Sequence, residues 1–278
     1  MIDRYLNKDL EKIWSDQNKI DTWKNIQFFY VQTLEEENIA PKGLSEKIKS
    51  TTVLKEEVEE REAVTNHDLA SFVDVLQEKV GEDSNWIHYG LTSSDIVDTA
   101  NSLLITESIV VVENLVNELL TILETRAIQE KDTKIIGRTH GVFAEETFLG
   151  NIFGNWLLEI KRGLERLARA KVNIGVGKLS GPVGNYTVVL EDVEQKTLKK
   201  LGLQQEIFAS QIVSRDRYAE VLSSIAILGS TFDRVATNIR SYQRSEISEM
   251  FEAFKDGQKG SSAMPHKKIL SLVKEFLV

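Results

Sequence analysis

Cysteine is absent from the 278-residue chain, which excludes a disulfide framework, a thiolate metal site and a cysteine nucleophile, and fits a reducing compartment. Proline occurs only at Pro41, Pro182 and Pro265. Because proline is least tolerated inside helices, its scarcity leaves long stretches free to be helical. Long apolar runs are also missing. Ile109–Val112 is typical of those present, far short of the ~20 residues that carry a helix across a bilayer. There is no excess of positive charge: 34 Lys and Arg against 43 Asp and Glu leave a net charge of −9, which argues against nucleic acid as a partner. The opening MIDRYLNKDLEKIW is charged from its start, so no signal peptide is expected in it. A cytoplasmic protein with neither a membrane nor a nucleic acid as partner is expected. The 41% apolar content is ordinary for a globular chain, and the length suits one large or two modest domains.

Helical periodicity dominates what is present. From Leu91 to Ile136 there is neither Gly nor Pro, and Leu103, Leu104, Ile109, Val110, Leu115, Leu119, Leu120 and Leu123 recur near the period of a helix face. Thr92, Ser93 and Ser94 offer side-chain oxygens to the first free amides, so one helix of about 35 residues is expected. A second is expected from about Ala144 to Lys171, with Phe148, Ile152, Trp156, Ile160, Leu164 and Leu167 on one face. Gly150 and Gly154 within it suit close helix packing. A third runs from about Arg217 to Phe254. Before Leu91 the stretches are shorter, at Asn7–Trp14, Lys19–Glu37, Gly43–Lys49, Lys55–Glu62 and His67–Val80. The pattern predicts an all-α protein: an N-terminal helical domain over 1–91, then a long-helix bundle over 92–268.

The chemistry-bearing residues cluster at segment junctions. Of four histidines, His67 lies in TNHD, His140 in GRTHG and His266 in SSAMPHKK. Histidine titrates nearest neutrality, as a general acid or base must, and loops on a rigid scaffold are where such groups are mounted. No HExxH-type spacing occurs, so no metal and no cofactor is assigned. The connector IGVGKLSGPVGNY over 174–186 lacks the Gly-Lys-Ser/Thr ending of a phosphate-binding loop. The segment GQKGSSAMPHKK over 257–268 reads either as a solvated linker or as a mobile lid, whose Ala263-Met264-Pro265 gives it something apolar to dock.

The string GSSAMPHKK resembles the signature of the fumarase/aspartase superfamily, and its Pro-His-Lys form resembles the adenylosuccinate lyase branch. Carboxymuconate cycloisomerases share that form. Arg4-Tyr5, TNHD at 65–68, HYGLTSSDIVDTA at 88–100, GRTHG at 137–141 and SQIVSRDRYAE at 210–220 match the adenylosuccinate lyase branch in the same order. The resemblance covers residues 1–268. It implies elimination of fumarate from adenylosuccinate, giving AMP, and from the succinyl-carboxamide ribotide, in a homotetramer with active sites shared between subunits. It further implies Ser262 as the base that removes the carbon-bound proton and His140 as the acid that protonates the departing nitrogen. His67 would orient the phosphate-bearing end and support His140, and Lys267 would hold a carboxylate. Arg4, Tyr5, Asp68, Thr92, Ser93, Thr139, Gln211 and Ser261 match substrate-binding positions.

Phe143, Glu146 and Tyr218 depart from the family's usual residues, as does the ending ILSLVKEFLV over 269–278. One choice of codons for that decapeptide, read one base earlier, gives Asn-Pro-Ile-Ser-Ser-Glu-Arg-Ile-Leu-Gly, the family's continuation. An out-of-frame tail after an A-rich Lys-Lys tract is therefore expected, with low or absent turnover for the chain as written. A non-catalytic fragment that joins other subunits, and a carboxymuconate cycloisomerase, are the alternatives.

Overall fold

The computed structural model describes residues 6–188, 190–251 and 257. Five short helices come first: α1 (Lys8–Ile13), α2 (Asp16–Glu36), α3 (Leu44–Ser50), α4 (Lys55–Thr65) and α5 (Asp68–Val80). They are the five expected from the sequence, and their boundaries follow local chemistry. Asn7 accepts from the amides of Asp9 and Leu10 at 3.0 and 3.1 Å, and Ser15 accepts from that of Asn18 at 3.3 Å. Asn66, in a left-handed conformation, ends α4.

The long helices follow: α6 (Ser93–Gln129), α7 (Leu149–Ile174) and α9 (Asp216–Tyr242), with the shorter α8 (Glu191–Leu201) before α9. Among the described residues the protein is thus all-helical in class, with one antiparallel hairpin, β1 (Lys134–Thr139) and β2 (Val142–Phe148), and a two-residue parallel pairing of β3 (Val176–Gly177) with β4 (Gln204–Gln205). Two expected boundaries are corrected. Ala144–Phe148 is strand and not the start of α7, because Lys134, Ile135 and Ile136 pair with Phe148, Thr147 and Glu146. The third long helix stops at Tyr242, where the chain turns and Glu249 and Met250 donate back to the Tyr242 carbonyl. Among the described residues no helix is long and apolar enough to cross a membrane.

The chain divides into two compact units, Met1–Val112 with Ala170–Ala219, and Glu113–Arg169 with Glu220–Val278. In the first, one cluster forms the core: Trp23, Ile26, Tyr30 and Leu34 of α2, Ile48 of α3, Leu69, Phe72 and Leu76 of α5, Ile96 of α6, Leu179, and Val193 and Leu198 of α8. Trp23 meets Phe72 edge-on, with ring centroids 5.6 Å apart. Each such side chain contributes about 1.5–3 kcal/mol by leaving water.

In the second unit, Trp156, Ile160 and Leu167 of α7 and Leu228 of α9 are buried. A Cβ at Gly163 would stand 2.8 Å from Leu228 Cδ1, and one at Gly150 would stand 2.5 Å from the Ala127 carbonyl oxygen. Close packing is therefore real at Gly150. It does not extend to Gly154, where an added Cβ meets nothing.

Candidate functional site

In the first unit the TNHD turn and the start of α6 come together. His67 caps α5: its Nδ1 accepts from the Ala70 amide at 3.4 Å, which leaves the hydrogen of the neutral ring on Nε2. Nε2 lies 3.3 Å from Ser93 Oγ, in the first turn of α6. Asp68 Oδ1 lies 3.5 Å from His67 Nδ1 and accepts from its own neighbour's amide, that of Leu69, at 2.7 Å. His67 and Asp68 are each about half exposed, so this corner is open to a ligand. Thr65 and Ser71 share a hydroxyl bond of 2.5 Å, and Ser71 Oγ donates to the His67 carbonyl, fixing the turn.

The start of α6 is held by two carboxylates that the sequence reading did not single out. Asp95 is fully buried, accepts from the Thr92 amide at 2.9 Å and the Gly181 amide at 3.1 Å, and forms an ion pair with fully buried Lys178. Lys178 Nζ also donates to the Gly181 carbonyl at 2.7 Å. Burial lifts the Asp95 carboxyl above the usual carboxylate range, against the opposing pull of Lys178. One turn later, Asp98 accepts from the Val213 amide at 2.9 Å and takes both Arg215 guanidinium nitrogens at 3.0 and 3.1 Å. The two aspartates of SSDIVDT thus tie two distant loops, 178–181 and 213–215, to one helix end. Thr92 contributes its backbone here: its amide donates to the Asp95 carboxylate, whereas its side-chain oxygen was expected to accept. Gln211 is exposed in the loop leading to Val213.

His88, also outside the expected set, has φ of 63°. Burial, helped by nearby His67, lowers its pKa to about 4. The imidazole is therefore neutral in the fold down to that pH, whereas the unfolded chain protonates near 6.5. The unfolded state then binds more protons than the native state between those values, so stability falls as pH falls through the window. Between pH 7 and 5 the expected loss from this residue is about 2 kcal/mol. His88→Asn, which tolerates the left-handed backbone, should remove that share of the slope in urea midpoints measured across pH.

In the second unit, His140 and Gly141 form the hairpin tip, with φ of 56° and 78°. Thr139 pairs with Val142, so this is a two-residue turn with both φ positive, a type that matches strand twist and tolerates glycine best. His140 and Thr139 are exposed. Arg138 anchors the hairpin from below by a fork to Glu249, at 2.8 and 3.2 Å, and lies over Phe143 at 5.3 Å. Phe143 and Glu146, departures from the family pattern, have partners: Glu146 bonds Lys134 at 2.9 Å. Arg4, Tyr5, Ser261, Ser262, His266 and Lys267 lie outside the described residues. No group of three or more His, Asp or Glu among the described residues could hold a metal ion.

The chain is 42% identical to adenylosuccinate lyase of Thermotoga maritima over 269 residues and 40% identical to that of Aquifex aeolicus over 272. Each match covers 96% of this chain and 62% of the relative, so the chain spans about three-fifths of the length of these relatives. The fold is similar to that of the 3-carboxy-cis,cis-muconate lactonizing enzyme from Pseudomonas putida, with a TM-score of 0.87 and 20% identity over 98% of this chain and 63% of that one. It is also similar to a fumarate lyase from Mesorhizobium sp. BNC1, with a TM-score of 0.80 and 21% identity over 87% and 59%. A family model described as Lyase matches residues 11–268, and the chain belongs to that lyase family.

Proposed function

We propose that this chain carries the adenylosuccinate lyase framework, for elimination of fumarate from adenylosuccinate and from the succinyl-carboxamide ribotide of purine biosynthesis. The observation that carries this is the 42% identity to the Thermotoga maritima enzyme across 96% of the chain. Likeness to the muconate enzyme, at 20% identity, speaks for the fold alone.

The elimination breaks a C–N bond. A base takes a proton from the carbon beside a carboxylate, the nitrogen leaves with the bonding pair, and an acid protonates it. Ser262 is the proposed base and His140 the proposed acid. An exposed hairpin tip backed by the Arg138–Glu249 fork suits an acid that must reach a substrate while its backbone stays fixed. Lys267 is proposed to meet a carboxylate as negative charge develops on it. His67, with Ser93 and Thr92 at the head of α6, is proposed to receive the phosphate-bearing end, because free amides and the helix dipole favour anions there. Arg4, Tyr5, Asp68, Thr139, Gln211 and Ser261 complete the proposed binding set. No cofactor is needed, since neither electrons nor groups pass to a third party.

A cytoplasmic homotetramer is proposed on the same resemblance. Val110, Leu115, Ile122 and Ile128 along α6 and Leu222, Ile225 and Ile227 along α9 stand exposed in the single chain, and apolar side chains in such number favour burial against other subunits.

The test is AMP binding by calorimetry together with fumarate release from adenylosuccinate. Saturable AMP binding that weakens about tenfold or more in His67→Ala, the loss of one hydrogen bond to a charged group, is the expected result. Absence of both AMP binding and fumarate release overturns the proposal.

A further inference from the structure

We propose that Gln27 is a positioning residue that locks the His88 imidazole in its Nε2–H tautomer, so that the turn leading into α6 carries a fixed N–H donor. The carboxamide of Gln27, fully buried on α2, meets His88 twice. Its Oε1 accepts from the His88 backbone amide at 3.0 Å, and its Nε2 lies 3.0 Å from His88 Nδ1.

The direction of both bonds follows from one group that cannot change role. A backbone N–H only donates, so the carboxamide must turn its oxygen toward it; the flipped amide would set two donors face to face. That orientation leaves the amide nitrogen, which also only donates, opposite Nδ1. Nδ1 must then be a bare acceptor, and the one hydrogen of the neutral ring sits on Nε2.

Two further observations keep the ring in this state. The backbone at His88 is left-handed, and the residue is tethered on both sides: the Gln77 side chain donates to the Ile87 carbonyl at 3.2 Å, and Tyr30 Oη donates to the Tyr89 carbonyl at 2.6 Å. Burial and the neighbouring imidazole of His67 both oppose a second proton. Nε2–H has no partner among the described residues, although His88 lies five residues before Ser93. A neutral donor held in one orientation offers a substrate acceptor a hydrogen bond that does not vary across the neutral pH range. That consequence rests on the lyase reading proposed above; the tautomer itself does not.

The experiment is 15N NMR of imidazole-labelled protein across pH. The expected spectrum shows His88 protonated at Nε2 and bare at Nδ1 from pH 8 down to about 5, with no titration near 6.5. An Nδ1–H tautomer, an even mixture, or ordinary titration near 6.5 in the parent protein overturns the proposal, and this measurement needs no variant. Gln27→Glu replaces the obligate donor with an acceptor, so Nδ1 should acquire a proton and the His88 titration should move up by about one pH unit or more. Gln27→Met, which keeps the volume and removes both bonds, should give a mixture of tautomers. An unchanged His88 spectrum in a folded variant of either kind also overturns it. Failure of the lyase reading would register separately, as absence of AMP binding and fumarate release, and would leave these spectra untouched.

Discussion

Lys178→Ala should lower the free energy of unfolding of the chain by about 3–5 kcal/mol, the range for removing one partner of a buried ion pair. Lys178 and Asp95 are both fully buried, so neither charge has water to fall back on. Without the ammonium, the Asp95 carboxylate keeps only the amides of Thr92 and Gly181, and the Gly181 carbonyl loses the Lys178 donor. The cost is that of an uncompensated charge, so the pair itself is a poor source of net stability; its value lies in registry. It decides which part of the connector meets which turn of α6. Two comparisons separate these effects. Asp95→Asn in the Lys178→Met background should recover much of the loss, because no isolated charge remains. The same double variant should still loosen the head of α6, seen as faster amide hydrogen exchange at Thr92 and Ser93. A urea midpoint for Lys178→Ala within experimental error of the parent would show that the ion pair does not form in the folded protein.

Gly184→Ala is the second large effect, with an expected destabilisation of about 3 kcal/mol. Gly184 has φ of 72°, which a side chain adopts only with strain, and a Cβ there would overlap the carbonyl oxygen of Ala209 and come within 3.0 Å of that of Ser210. Both neighbours are backbone, which cannot rotate away as a side-chain end could. Relief would require the 209–211 loop to move, carrying exposed Gln211 with it. The signature is therefore loss of stability together with altered chemical shifts at Ser210 and Gln211. A Gly184→Ala protein as stable as its parent would mean that the two loops are not apposed in solution.

Much of the fold is legible in the residue order. The spacing of apolar residues and the rarity of proline place five short helices and three long ones, although the third long helix ends at Tyr242 and not near Phe254. The start of α7 is the instructive exception. Ala144–Phe148 contains helix-compatible residues, yet Thr139-His140-Gly141-Val142 supplies a two-residue hairpin turn, and cross-strand pairing takes these residues first. Helix α8, over Glu191–Leu201, is not legible from periodicity, because its eleven residues carry only a short apolar face.

Short motifs mark His67, Asp68, Thr92, Ser93, Thr139, His140 and Gln211 as candidates. What Lys178, Asp95, Asp98, Arg215, Gln27 and His88 bond to is not legible in the residue order. A lysine in a glycine-rich stretch reads as exposed until its partner, 83 positions away, is brought to it. Asp95 and Asp98 stand three apart, which puts both on one helix face, but nothing along the chain says whether that face meets water or two loops.

The sequence by itself determined the helices, because propensity, periodicity and capping act within a few residues, and it determined family membership, because several motifs occur in one order. Only the tertiary structure decided which charges are buried, which glycines face a neighbouring backbone and which nitrogen of His88 bears its hydrogen. These depend on contacts between residues tens of positions apart. In the low dielectric of an interior, such contacts set the cost of every unpaired group.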